Sequence, residues 1–285
     1  MQPSSVESSI LHPATTIGAV QLTVTDLDRS IDFYRRVIGF HLHERSSGQA
    51  NLGAGGPTLL QLVENPAARQ VTHHSGLYHF AVLTPSRPAL GRVLRRIVEA
   101  QVRLGGSDHS VSEALYFDDP DGNGIEVYRD RPRAEWAYAD GKPVLGNAPL
   151  DYRGILGEAD EREDGLDPAT VIGHVHLHVG DLASAMNFYI QTIGFDLIMT
   201  WQGAAFYSAG GYHHHIATNT WAGVGAPPQP ADAVGLRHYE IVLAGEDERS
   251  RLLTRLDTAD VACESRADGL FVRDPAQNGV LFVVK

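Results

Sequence analysis

The chain has 285 residues, 43% of them hydrophobic, a formal charge of −12 at pH 7 and a single cysteine. That length supports two domains or one large one around a real core, while the acidic balance opposes a phosphate backbone or an anionic membrane surface, which reward clustered Lys and Arg. Cys263 alone cannot form an internal disulfide, and no apolar run reaches the roughly 20 residues that cross a bilayer. The segment from Met1 to Pro13 lacks the basic start and apolar stretch of a secretory signal. The expectation is a cytoplasmic protein with a small-molecule partner, no nucleic acid and no membrane, and with room for a homo-oligomer. Fourteen histidines are more than core packing usually needs.

In chain order, residues 18–40 (GAVQLTVTDLDRSIDFYRRVIGF) open with alternating Val20, Leu22 and Val24, the period of a strand. Asp26 follows, where a carboxylate can accept from the free amides of a helix start, and Phe33, Tyr34 and Ile38 then fall at helical spacing. GLYHFAVL from Gly76 predicts a second strand and LGRVLRRIVEA a second helix, after which SDHSV, ALYFDD and GIEVYRD are short strands parted by Gly- and Asp-rich turns. Residues from about Arg131 to Ile172 are mixed in charge, contain Pro and Gly, and predict a linker.

The pattern then returns. Residues 173–195 (GHVHLHVGDLASAMNFYIQTIGF) match residues 18–40 at 11 of 23 positions without a gap, which indicates duplication. Asp181 takes the place of Asp26, GLRHYEIVL from Gly235 repeats GLYHFAVL, and the Asp119-Pro120 pair recurs at Asp274-Pro275. The chain therefore predicts an α+β fold of four strand-helix-strand-strand-strand modules, starting near residues 17, 76, 172 and 235. The expected domains are residues 15–131 (modules one and two) and 172–285 (modules three and four), with residues 132–171 as the linker.

One stretch stands out chemically. From His109 to Glu126 the chain reads HSVSEALYFDDPDGNGIE, so a tight turn fixes a carboxylate at the start of one strand while Tyr116 and His109 on the preceding hairpin can face it. Such a placement suits a metal site or an acid/base site.

The four-module pattern resembles the vicinal oxygen chelate superfamily (glyoxalases, bleomycin resistance proteins, type I extradiol dioxygenases), over nearly the whole chain. That resemblance implies two paired sheets or barrels of βαβββ modules, with metal ligands from the middle of a module's first strand and from its last strand. The first-strand positions are Gln21, His79, His176 and His238; the last strands offer Glu126, Leu281 and the run His213-His214-His215, with Gln61 and Glu64 in the first module. Neither chain-order half supplies a full set. Modules two and three together do, as His79, Glu126 and His176, two histidines and one carboxylate that leave a face of a six-coordinate metal open. His174 and His178 share the strand face of His176, which the repeat position singles out; His238 reads as structural.

The run from His109 is also similar to the signature of the type I extradiol ring-cleaving dioxygenases, with Ser107 in place of the usual glycine. By that similarity Glu126 binds iron and Tyr116 and His109 lie beside the substrate hydroxyls. His214 corresponds to the acid/base histidine, although a slip of one residue would present His213 and His215 instead. Trp221 is placed at the ring pocket or in the core. Together with GLYHFAVLTP, IGHVHLHVGDL and SAGGYHHHIATNTWAG, the resemblance points to two-domain bacterial catechol 2,3-dioxygenases, and so to Fe(II) or Mn(II), a catechol-type substrate and O2. Two other classes remain open at this stage. One is a glyoxalase-type lyase holding Zn or Ni on Gln21, His79 and Glu126. The other is a metal-free protein that sequesters an aromatic compound.

Overall fold

The computed structural model describes residues 11–161 and 165–284. Most of the segment read above for targeting signals lies outside the described residues. No helix among the described residues is long and apolar enough to cross a membrane.

The four modules form as the repeat predicts. Module one is β1 (Thr16–Val24), α1 (Leu27–Phe33), β2 (His41–Ser46), β3 (Gln49–Gly53) and β4 (Thr58–Glu64). Module two is β5 (Gly76–Leu83), α2 (Arg87–Glu99), β6 (Gly105–Asp108), β7 (Ser112–Asp118) and β8 (Gly124–Asp130). After a hairpin, β9 (Tyr138–Ala139) and β10 (Lys142–Pro143), and a short helix, α3 (Tyr152–Glu158), module three comprises β11 (Val171–His178), α4 (Leu182–Met186), β12 (Asp196–Trp201), β13 (Ala204–Ser208) and β14 (Ile216–Asn219). Module four is β15 (Gly235–Leu243), α5 (Glu246–Thr258), β16 (Cys263–Arg266), β17 (Gly269–Arg273) and β18 (Gly279–Val284).

The sheets do not follow the chain-order halves. One eight-stranded sheet runs β16-β17-β18-β15-β1-β4-β3-β2 and the other β12-β13-β14-β11-β5-β8-β7-β6. Module one thus pairs with module four through antiparallel β1 and β15, and module two with module three through antiparallel β5 and β11. This is the cross-half pairing that the ligand count favoured, and it replaces the chain-order domains of modules one and two and of modules three and four. Alternation does the rest: Val20, Leu22, Phe80, Val82, Val175, Leu177, Tyr239 and Ile241 enter one shared buried cluster, while their strand neighbours face the two cups.

The repeated Asp-Leu and Phe-Tyr segments have a joint purpose. Asp26 and Asp181 cap their helices by accepting from Arg29 N and Ala183 N at 3.0 and 2.9 Å. Both helices then widen into a π-helical turn that ends at Gly39 and Gly194, whose φ of 102° and 100° suits glycine. The wide turn carries Tyr34 and Tyr189. Tyr34 Oη donates to Asp119 Oδ2 at 2.9 Å, and Tyr189 Oη to Asp274 Oδ2 at 3.0 Å, all buried. Each aspartate also accepts from backbone amides of its own turn, as Asp119 Oδ1 does from Asp121 N and Asn123 N. A tyrosine of one module therefore pins the turn just ahead of the last strand of the next.

Replacing Tyr34 by Phe removes a buried donor from Asp119 and should cost about 1–2 kcal/mol, read as a lower urea midpoint. An unchanged midpoint would show that the turn is held by its own amides alone.

Candidate metal centre

The seam between β5 and β11 sets the site. In its register Ala81 stands opposite His174, and His79 opposite His176. On the other side of β5, parallel β8 places Glu126 beside Ala81. Glu126 is therefore level with His174, and His176 lies one pleat farther along. The side chains follow: Glu126 Oε2 is 2.9 Å from His174 Nε2 and 3.1 Å from His79 Nε2, and all three residues are buried. Donor atoms of His79, Glu126 and His174 all lie within 4.8 Å of one another.

This differs from the sequence expectation at one residue. His176 faces the same cup but does not join Glu126, because its Nε2 is taken by Asn219 Nδ2 at 2.9 Å. Asn219 cannot turn around to release it: its Oδ1 accepts from Trp221 N at 2.9 Å and lies 2.7 Å from His178 Nδ1. Counted back from the helix caps Ser86 and Asp181, His174 holds the place of His79 and His176 that of Ala81, so Ala217, beside His176, is the third module's counterpart of Glu126, and Asn219 that of Tyr128. In modules one and four the same place is held by Gln61 and Leu281. His174 carried a weak signal in the sequence, a histidine directly after Gly173 on the face of His176. Gly173 itself is obligatory, since a Cβ there would lie 1.8 Å from Tyr128 Oη.

Burial pushes the Glu126 carboxyl up, but the opposing pull of His174 and His79 prevails and holds it well below the usual carboxylate range. Burial pushes His174 down to about 4 against the pull of Glu126, and drives His176 and His214 well below the usual imidazole range. An ionised carboxylate beside neutral imidazoles is the protonation state that a divalent metal requires.

Around this group lies a cavity of about 390 Å³ whose lining includes Tyr78, Met199, Trp201, Phe206 and Trp221. Trp221 is 43% exposed and its Nε1 donates to Gln202 O at 2.7 Å, so it borders the cavity rather than filling the core. His109 and Tyr116 also face the cavity, with His109 Nε2 2.8 Å from Tyr116 Oη and His109 Nδ1 3.0 Å from Gly146 O. The carbonyl can only accept, so Nδ1 carries the hydrogen and Nε2 accepts from the tyrosine. Gly146 and Asn147, the latter accepting from Ser107 Oγ at 2.7 Å, belong to the segment between the halves. That segment is a wall of the cup as well as a connection.

The histidine run lies just ahead of β14. His213 and His214 line the cavity. His215 turns away to accept from Ala209 N at 3.2 Å and to pack against Phe195 and Tyr212. Gln21 is in the other sheet, bonded to Gln61 at 2.9 Å and to Arg237 at 3.0 Å, so it does not meet His79 and Glu126 as the lyase reading required. His238 is its strand partner and packs on Phe271.

A family model for the Glyoxalase/Bleomycin resistance protein/Dioxygenase superfamily matches residues 16–127 and 171–282. The chain belongs to that superfamily. It is 45% identical over 282 residues to the catechol-2,3-dioxygenase of Bacillus subtilis (strain 168), covering 96% of this chain and 99% of that one. Among solved structures, a putative dioxygenase from Bacillus subtilis subsp. subtilis str. 168 has a TM-score of 0.65 at 14% identity, over 96% of this chain and 86% of the other. Glyoxalase I from Zea mays has 0.57 at 14% identity, over 95% and 92%. These two structures share the fold.

Burial holds His174 and His238 down near 4 and His215 near 3, from an ordinary value of about 6.5. As pH falls below about 6.5 the unfolded chain takes up protons that the native state refuses, so stability falls; the lowered Glu126 adds a loss of the same sign below about 4.5. The metal-free protein should therefore show a lower urea midpoint at pH 5.5 than at pH 7.5. A midpoint that rises on acidification would contradict this burial pattern.

Proposed function

We propose that this chain, an extradiol dioxygenase by its full-length relationship, uses Fe(II), with Mn(II) as the alternative metal, to convert catechol and O2 into 2-hydroxymuconate semialdehyde. The observation that carries the reading is the His79–Glu126–His174 group, buried at the wall of an aromatic-lined cavity that His214, Tyr116 and His109 also line.

The residues fit a metal. His79 Nε2 is buried without a hydrogen-bond partner although it lies 3.1 Å from Glu126, and a buried nitrogen left in this way is unfavourable unless a cation takes its lone pair. Three donors of borderline and hard character suit a first-row divalent ion and leave positions for two further ligands. When bound, Fe(II) supplies a redox-active centre through which ground-state O2 and a catechol can exchange electron density.

The chain's own residues then have separable tasks. Trp221, Phe206 and Met199 offer apolar surface to the ring and keep water from it. His214, kept neutral by burial, can accept a catechol proton and later return it. Tyr116 stays protonated, because burial and Glu126 both raise its phenol well above the ordinary value, so it meets the substrate oxygens as a neutral hydroxyl and not as a phenolate. His109 accepts from Tyr116 in the structure and keeps that hydroxyl oriented.

Anaerobic loading with Fe(II) followed by catechol and air should give the yellow ring-fission product, and colourless mixtures from the iron-loaded protein would sink the proposal. His174→Ala should lower iron affinity by roughly 10–100-fold or more and abolish turnover. His176→Ala should keep its iron and change mainly KM. The reverse pattern would restore His176 as the ligand.

A further inference from the structure

Beyond the residues already given roles, one chain of hydrogen bonds leads from the cup toward the surface. Asp130 ends β8 four residues after Glu126, so Glu126, Tyr128 and Asp130 all project from the same face of that strand. Asp130 Oδ1 is 3.0 Å from His213 Nε2, and His213 Nδ1 is 2.8 Å from His214 Nδ1. His213 is wedged between the rings of Tyr212, Trp136 and Tyr128, with centroids at 4.0, 5.7 and 5.9 Å. Two of those rings are themselves fixed, since the Tyr128 and Tyr212 hydroxyls lie 2.7 Å apart in a hydrogen bond.

The chemistry of the partners assigns the hydrogens. An ionised carboxylate can only accept, so His213 Nε2 bears the hydrogen of that contact. A neutral imidazole has one such hydrogen, which leaves His213 Nδ1 as a lone pair. At 2.8 Å that lone pair must be met by a donor, so His214 Nδ1 carries its ring hydrogen. His214 Nε2 is then bare, on a ring that lines the cavity. His215 has no part in this, because its Nδ1 already accepts from Ala209 N.

We infer that Asp130 and His213 are positioning residues that hold His214 in the single tautomer whose Nε2 can take a proton from a bound catechol hydroxyl. The inference rests on the ring-cleavage reading for its functional half. In the step it serves, the substrate O–H bond breaks, its electron pair stays on oxygen, and an Nε2–H bond forms on His214. The positive charge that this ring acquires is stabilised through His213 by Asp130, which does not itself become protonated. A carboxylate oriented on one histidine nitrogen is a general means of fixing the other; here a second histidine extends the reach. Module two supplies the carboxylate and module three both rings, so the relay crosses the β5–β11 seam just as the metal group does.

Two measurements test it. Long-range ¹H–¹⁵N spectra of the full-length metal-free protein, assigned with His213→Gln and His214→Gln, should show His213 protonated on Nε2 and His214 on Nδ1. A His214 protonated on Nε2, or a doubly protonated His213, would overturn the relay. In iron-loaded protein, Asp130→Asn and Asp130→Ala should lower kcat roughly 100-fold while KM for catechol and iron content stay within about twofold, with Asp130→Glu recovering part of the loss. The Asp130 side chain is 25% exposed, which makes these variants tolerable to the fold. A kcat within threefold of the parent in both variants would refute the positioning role. Failure of the parent protein to cleave catechol would count against the ring-cleavage reading and, with it, the functional half; the tautomer spectrum decides the relay without turnover.

Discussion

The register of one antiparallel seam governs the site. Because Ala81 of β5 lies between Glu126 on one side and His174 on the other, a small residue separates the carboxylate from the imidazole that it meets. Alanine leaves the space above that pleat open, and the longer side chains of its two neighbours close over it. A shift of the seam by one residue would turn His174 and His176 to the opposite face together and dissolve the group. The bulges between Ile172 and His174 and between His176 and Leu177 lie on either side of the pairs that matter.

Burying a carboxylate is costly unless partners compensate for the lost water. The second sheet shows what the same architecture holds when no charge has to be accommodated. There the acid's places are Gln61 and Leu281, and Gln61 is bonded to Gln21 of the first strand, which also accepts from Arg237. Duplication thus produced two similar cups, one carrying a buried ionic group and the other a neutral amide pair with a guanidinium. Within the charged cup the third module has Ala217 at the acid's place, and Asn219, two residues farther along the strand, holds His176 away from the group.

Much of this was legible in the sequence because it is periodic or local. Alternation gave the strands, Asp26 and Asp181 the helix starts, the 11 shared positions the modules, and the incomplete ligand sets of the two halves the pairing of module two with module three. His79, Glu126, Tyr116, His109, His214 and Trp221 all reach the one cavity. The choice between His174 and His176 was missed: both lie on the same strand face, and it is the spacing to the helix caps, seven residues from His79 to Ser86 and from His174 to Asp181, that puts His174 at the place of His79. Asp130 and Asn219 were missed for a different reason: each is an ordinary residue at a strand end until its partner elsewhere in the fold is known.

The crossing of modules also bears on how such a chain comes into being at the ribosome. β1 is made before every other described strand, yet its antiparallel partner is β15, with Thr16 opposite Val242. Until module four emerges, the first module has an unpaired edge, and module two waits likewise for β11. Non-local pairings of this span are slow to form and leave strand edges open meanwhile. The sheet of modules two and three, complete once β14 is made, is the unit that can close early; the sheet of modules one and four can pair only afterwards, when β15 becomes available to β1.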